Sequence, residues 1–247
     1  VSAFITFLEY AGLSGRLDEL RQEAASIENL MFSPIQLRFP NGNLPTPADS
    51  TGGARKAPET GILARARRVF PTSLGIAAAA GQVNWDNLLD PPPAIQPKPL
   101  PDVVSRNFES SRMALLRKGP WQVYFHYGQL DSSHAQAEAL NYEAYFESID
   151  ITHDAGTVGY GSPLHRGFVL TGSAHNTVVI DGQGQEKWNP GTLLAFDASK
   201  GIVAATQDQF RSDAAVTRKL EIQGKRLVEK TDVQTKGAKA RRIGLVL

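Results

Sequence analysis

All five histidines of this chain, His126, His134, His153, His165 and His175, fall within residues 126–175. Histidine exchanges protons near neutral pH and ligates metals, so this crowding points to chemistry, even if two or three of the five serve only packing or the surface. The same stretch holds Asp131, Glu138, Asp150, Asp154, Tyr127, Tyr142 and Tyr160, and Asp181 follows shortly after it. Acids, bases and phenols in this mixture are what an elimination or a hydrolysis draws on. Two segments stand out. In Ser133-His134-Ala135-Gln136-Ala137-Glu138, an extended backbone would place His134, Gln136 and Glu138 on one face. In Asp154-Ala155-Gly156-Thr157-Val158-Gly159-Tyr160-Gly161, followed by His165-Arg166 and His175-Asn176, glycines permit a tight path that gathers Asp154, Tyr160 and His165. Spacing alone goes no further than a polar, histidine-rich site.

The elements that must position these residues differ sharply between the two ends of the chain. Its 247 residues are enough for one large domain or two modest ones. Phe4, Ile5, Phe7 and Leu8 recur at helical spacing before the stop signals Gly12 and Gly15. Leu17, Leu20, Ala24, Ile27, Leu30 and Met31 form a second apolar stripe, backed by Asp18, Glu19, Arg21 and Glu23. Residues 38–53 are dense in Pro, Gly, Asn and Asp and read as a long ordered loop. Short helical patterns return at 59–69 and 73–89. The proline-dense stretch 88–102 can continue neither a helix nor a central strand and reads as an extended linker. The predicted division is therefore a helical segment over 1–90, a linker over 91–105 and an antiparallel β-sandwich over 106–247. Strands are expected at 121–127, 139–146, 176–181, 193–196, 216–222 and 226–234, with a turn at Gly224-Lys225. Ile243 to Leu247 starts another strand, whose partner is expected beyond the last residue.

Composition narrows the function classes. A net charge of +1 argues against a nucleic-acid-binding surface or a basic membrane anchor. No apolar run approaches the ~20 residues of a membrane span. The absence of cysteine removes disulfides, thiolate metal sites and cysteine nucleophiles together. The basic residues near the C-terminus (Lys236, Lys239, Arg241, Arg242) read most simply as a solvated strand and turn.

Taken in order, HAQAE (134–138), DAGTVGYG (154–161), HNTVVIDG (175–182) and Gln185 resemble the heparinase II/III-like domain of polysaccharide lyases. That pattern runs roughly His-Gly-His-x-Asp, a strand, Asp-x-Gly-x-x-x-Tyr-Gly, then His-Asn-x-Val and Asp-Gly-x-x-Gln. Residues 38–50 resemble the loop that precedes this domain. The resemblance implies an α+β, multidomain fold: the helical tail of an (α/α) toroid followed by an antiparallel β-sandwich, with both ends of the family fold lying outside this chain. It implies an acidic polysaccharide or oligosaccharide partner, alginate-type by the closer look of HAQAE and GTVGYGSPLH, and a periplasmic or secreted location. By position, His134 matches the sandwich histidine that approaches substrate. Gln136, Glu138, Tyr160, His165 and Arg166 are the implied substrate contacts. Asp154 and His175 match positions that ligate zinc in some members. The third zinc position is Gln136, whose amide oxygen is a poor zinc ligand. The expected reading is thus no required cofactor, with a structural zinc left open and a hydrogen-bonded network of Gln136, Asp154 and His175 as its replacement.

The family reaction is β-elimination across a uronic acid. It requires neutralising the C6 carboxylate, removing the C5 proton and protonating the departing oxygen. His134 is the leading candidate as base or charge neutraliser, and the Arg166 guanidinium suits an anionic glycan. Tyr10 is the only tyrosine in the first ninety residues and matches no catalytic motif. The principal catalytic tyrosine is therefore expected before Val1, and the isolated chain is expected to be inactive. The rival readings are a non-catalytic carbohydrate-binding sandwich and a metal-dependent hydrolase built on Asp154 and His175.

Overall fold

The structure is a computed structural model that describes all residues except 1, 51–59, 97, 129–132, 187–188, 238–239 and 247. Asp131 and Lys239 lie outside the described residues. The chain forms two compact units, Val1–Gln36 with Lys56–Asp102 and Leu37–Arg55 with Val103–Leu247.

The first unit is helical. Its helices are α1 (Ser2–Leu13), α2 (Arg21–Leu37), α3 (Thr60–Arg65), α4 (Ser73–Ala80) and α5 (Trp85–Leu89). Ile5 and Leu8 of α1, Met31 and Ile35 of α2, and Leu63, Ala66 and Phe70 share one buried cluster, against which Leu100 packs. Helix α2 runs through Pro34, which has no N–H to donate to the carbonyl of Leu30. The Ser33 hydroxyl donates to that carbonyl instead, at 2.8 Å. Thr72 caps α4 by accepting from the Gly75 N–H, and Asn84 caps α5 in the same way from Asn87.

The second unit is a sandwich. Strands β1 (Arg106–Phe108), β2 (Met113–Lys118), β3 (Trp121–His126), β4 (Asn141–Phe146) and β5 (Ile149–Thr152) form a five-stranded antiparallel sheet in chain order. A four-stranded sheet follows from β7 (Thr192–Asp197), β8 (Ile202–Arg211), β9 (Ala214–Gln223) and β10 (Arg226–Thr235), again in chain order. Strand β6 (Val178–Ile180) pairs with β11 (Ile243–Leu245) in a small third sheet. Leu116, Val123, Phe125 and Ala144 from one sheet meet Val203, Ala205, Val216 and Leu220 from the other. Burying each large side chain there stabilises the unit by roughly 1.5–3 kcal/mol.

Strand β9 alternates buried and half-buried residues, as a sheet with one wet face must. Strand β3 is buried at every position, so both of its faces are covered. Its outer face, continued by β4, carries Gln122, Tyr124, His126, Asn141, Glu143 and Tyr145. The segment after α2 covers this face. Phe39 stacks on Tyr145 with ring centroids 4.3 Å apart, and Gln122 Nε2 donates to the Arg38 carbonyl at 2.7 Å. The Thr46 N–H donates to Glu143 Oε1 at 2.9 Å, and its hydroxyl donates to the Asp154 carbonyl at 2.8 Å.

The structure departs from the sequence reading in four places. Residues 37–55 group with the sandwich rather than with the helices that flank them in sequence. Strand β11 finds a partner inside the chain, in β6, rather than beyond its last residue as expected. Among the described residues of the 133–140 stretch there is no strand, so alternation is not what orients His134, Gln136 and Glu138. Strands β1, β2, β5 and β8 were not picked out by their patterning. In β8 the pairing register with β9 shifts between Gln207 and Arg211, which breaks the period-two signal.

Candidate active site

His134 stands in a loop between β3 and β4 with φ of +59°, a left-handed conformation uncommon outside glycine. Its side chain meets Asp49, from the segment that covers the sheet. His134 Nδ1 lies 3.0 Å from Asp49 Oδ2, and the Tyr160 hydroxyl donates to the same oxygen at 2.9 Å. Nδ1 and the Tyr160 oxygen are themselves 3.0 Å apart. The other carboxylate oxygen, Oδ1, accepts from Gln136 Nε2 at 3.0 Å. The Asp49 side chain is 10% exposed and that of His134 is 64% exposed, so the acid is sheltered while the imidazole faces solvent.

The charges follow from this geometry. Burial pushes the Asp49 carboxyl up, but the bonds from Gln136, His134 and Tyr160 outweigh it and leave the group below its ordinary value. Tyr160 moves the opposite way, because its hydroxyl already gives its proton to Asp49. The site therefore presents an ionised acid beneath a neutral phenol and an imidazole. His165 packs edge-on against Tyr160, at 4.9 Å between centroids, and its Nδ1 contacts the Thr157 hydroxyl at 3.3 Å. Arg166, next to it, is exposed.

Beneath this surface lies a buried polar network. Asp154 Oδ1 accepts from the Gly156 N–H at 2.7 Å. Its Oδ2 faces His175 Nδ1 at 2.7 Å and accepts a short bond from Asn141 Nδ2. His175 Nε2 sits 3.0 Å from the Val169 carbonyl, a pure acceptor, so Nε2 carries a proton. Burial lowers the His175 pKa, but Asp154 more than reverses this and holds it above the ordinary histidine value. Burial likewise raises Asp154, and the nearby Glu138 adds to the rise. Glu138, 3.3 Å from His126 Nδ1, is desolvated yet held below its usual range by that histidine. Glu143, by contrast, is pushed well above the carboxylate range by burial, with Asp154 and Glu138 contributing.

Two devices hold the loops that carry this network. The first is a close backbone approach. Gly172, in the turn before His175, comes so near Gly184 that a Cβ on Gly184 would sit 2.5 Å from the Gly172 Cα. Gln185 then accepts from the Ala139 N–H at 3.1 Å, which explains a glutamine at that point of the sequence pattern. The second is Arg218 of β9, fully buried. Its Nη1 donates to the carbonyl of Leu140 at 2.8 Å and, in a short bond, to that of Asn176. Its Nε donates to Glu229 at 2.9 Å, and Nη2 lies 2.7 Å from the same oxygen without the angle of a hydrogen bond. The guanidinium rests over the Tyr142 ring at 4.8 Å. Tyr142 itself is pushed up to about 12 by burial and by Glu229.

The expected site residues thus separate into an exposed group and a buried one. His134, Tyr160 and Arg166 reach solvent. Gln136, Glu138 and His165 are buried, at 5%, 1% and 6% exposure. Gln136 does not join Asp154 and His175 as expected but turns to Asp49. Glu138 takes that place: ligand atoms of Glu138, Asp154 and His175 lie within 4.8 Å of one another. One imidazole nitrogen and two carboxylates suit a divalent ion such as zinc, and the Val169 carbonyl on the far ring nitrogen would fix the imidazole as metal sites require. The donor set fits. Sequence reasoning missed Asp49. It lies in the segment 38–50, whose resemblance to the loop before the family domain singled out no side chain.

Comparison with known proteins places the chain. Residues 101–242 match the family described as heparinase II/III-like, C-terminal. The chain belongs to the heparinase II/III-like family, a group of polysaccharide lyases. Its fold is similar to a heparinase III, the BT4657 gene product with methylated lysines, at 18% identity and a TM-score of 0.73, covering 95% of this chain and 36% of that one. Heparan sulfate lyase HepC from Pedobacter heparinus aligns at 17% identity and a TM-score of 0.68, over 93% of this chain and 37% of the relative. Another heparinase III structure aligns at 19% identity and a TM-score of 0.65, with 92% and 37% covered. The chain thus spans little more than a third of each solved relative. No curated protein matches it in sequence. Among the described residues no helix is long and apolar enough to cross a membrane.

Proposed function

We propose that the protein carrying this chain cleaves uronate-containing acidic glycans, alginate-type favoured, by β-elimination, and that this chain forms one wall of the cleft. The observation that carries this reading is the exposed His134–Tyr160 pair seated on the sheltered Asp49 carboxylate. In the elimination the C5 proton leaves to a base, the C4–O bond breaks, a C4–C5 double bond forms and the departing oxygen takes a proton. His134 serves as base or as neutraliser of the C6 carboxylate. Tyr160, whose phenol stays protonated, borders the same surface, and the Arg166 guanidinium offers charge to the glycan.

A zinc ion held by Glu138, Asp154 and His175 would tie together the loops that carry them. Their burial leaves no open position for substrate, which makes the role structural. The elimination needs no cofactor in this reading. The proposed location is periplasmic or secreted. The isolated 1–247 chain is proposed to be inactive, because nothing in it matches the family's principal tyrosine motif.

The test is His134→Ala in the complete enzyme, assayed by ultraviolet absorbance of the unsaturated product on uronate polymers. Loss of turnover by about 100-fold or more, with binding retained, supports the lyase, since general acid–base groups contribute ~10²–10⁴-fold. Weakened binding with unchanged turnover would instead mark a carbohydrate-binding sandwich. A product lacking the double bond would mark a hydrolase.

A further inference from the structure

Resting on the lyase reading above, we infer that Asp49 is a positioning residue that fixes the proton on His134 Nδ1 and so makes Nε2 the reactive nitrogen. A triangle of contacts carries the inference. His134 Nδ1, the Tyr160 hydroxyl and Asp49 Oδ2 lie 2.9–3.0 Å from one another. An ionised carboxylate has no proton to give, so both neighbours must point theirs at it. Tyr160 spends its single proton on Oδ2. Nδ1 then faces a carboxylate and a phenol oxygen whose hydrogen is directed elsewhere, and only an N–H satisfies both. The lone pair is left on Nε2, on a side chain that is 64% exposed.

The carboxylate is itself held in place. Gln136 Nε2 takes Oδ1, which leaves Oδ2 to the histidine and the tyrosine. The segment that carries Asp49 is pinned to the sheet by the Thr46 bonds to Glu143 and to the Asp154 carbonyl, and by the Ser50 carbonyl, which accepts from the Thr157 N–H at 3.2 Å. A Cβ on Gly156 would lie 2.7 Å from that same Ser50 carbonyl, so the close approach depends on glycine there. Asp49 therefore reaches His134 across 85 residues of sequence from a fixed base. A histidine free in water prefers its proton on Nε2, so the arrangement reverses the default.

The test reads the tautomer directly. Long-range proton–nitrogen correlation spectra of the ¹⁵N-labelled 247-residue chain, taken at a pH where the rings are neutral, distinguish pyrrole-type from pyridine-type nitrogen. The His134 signals are assigned by their loss in His134→Gln. The expected result is pyrrole-type Nδ1 and pyridine-type Nε2. Asp49→Asn, whose amide can donate to Nδ1, should reverse the pattern, while Tyr160→Phe should leave it unchanged. Equal melting temperatures of the variants would separate a tautomer change from unfolding. A pyridine-type Nδ1 in the unchanged chain, or a reversal in Tyr160→Phe but not in Asp49→Asn, overturns the inference. In the complete enzyme, Asp49→Asn should lower kcat at least tenfold with a smaller change in KM. An unaltered kcat with a reversed tautomer would sink the catalytic role of the positioning while leaving the lyase reading intact. Absence of any unsaturated product from the unmodified enzyme would sink the lyase reading alone.

Discussion

Replacing Arg218 by methionine should loosen the site without touching any residue that faces solvent there. The side chain is buried completely, and its guanidinium serves Glu229, the Leu140 carbonyl and the Asn176 carbonyl while covering the Tyr142 ring. Methionine fills much of the volume but supplies no donor. Two buried carbonyls then lose this donor together, and the Glu229 carboxylate loses its counter-charge while keeping the hydroxyl bonds from Tyr142 and Thr231. Breaking a buried ion pair from one side costs about 3–5 kcal/mol. Glu229 is 17% exposed and can recover some hydration, whereas the two carbonyls cannot, so about 4 kcal/mol is expected. For a unit of this size each kcal/mol lowers Tm by about 2–4 °C, which sets the drop at roughly 10 °C. Urea unfolding followed by circular dichroism gives the free energy, and adding Glu229→Gln to the methionine variant should restore about 1 kcal/mol or more, because the stranded charge is removed. Amide exchange at Asn141 and Thr177, which flank the two clamped carbonyls, should accelerate in step. A loss below about 1 kcal/mol, or unchanged exchange at those amides, would refute the idea that one arginine clamps both loops.

Glu143→Gln tests the buried acid behind the covering segment. The Glu143 pKa is raised in the folded state, so its contribution is fully present below the ordinary value of 4.5 and is lost as pH rises towards the folded value. Glutamine imitates the protonated form and does not titrate. The variant should match the parent in acid and exceed it in Tm at neutral and alkaline pH; a gap that does not widen with pH would rule this out. Gly184→Ala forces a Cβ to within 2.5 Å of the Gly172 backbone, so a loss of about 1–3 kcal/mol is expected, with ring signals of His175 displaced in the nuclear magnetic resonance spectrum. An unaltered melting curve would show that the two turns separate freely. Glu138→Gln should weaken any zinc-induced rise in Tm much more than Gln136→Ala does, because Glu138 and not Gln136 stands with Asp154 and His175; the reverse order would return Gln136 to the ligand position.

Much of the sandwich was legible because its strands carry local signals. Gly224-Lys225 marks the turn between β9 and β10, and Trp121 to His126 is a β-prone run that becomes β3. Strand β8 hid behind its shifted register, and β1 and β5 are only three and four residues long. The chemistry was legible by type and order. His134, Asp154, Tyr160 and His175 do gather in one region, but alternation along a strand is not the reason. What brings them together is pairing across the sheet and a covering segment whose contacts span about a hundred residues of sequence, as Thr46 to Glu143 does. Such contacts have no local periodicity to betray them. That is why Asp49 went unnoticed while its partners did not, and why the buried state of Glu138 and Gln136 could not be read from their polar character.

The chain visits the sandwich unit before it has finished the helical one: residues 37–55 belong to the first visit and residues from 103 onward to the second. A cut at the proline-rich stretch would therefore not release a transferable module. It would strip Phe39 from Tyr145, Thr46 from Glu143 and Asp49 from His134, uncovering an aromatic and acidic sheet face. During synthesis the covering segment emerges before the strands it covers, its partners following 84 to 111 residues later. Contacts of such separation form late and slowly. A fusion or domain swap that is to keep the polar centre must therefore carry both visits together.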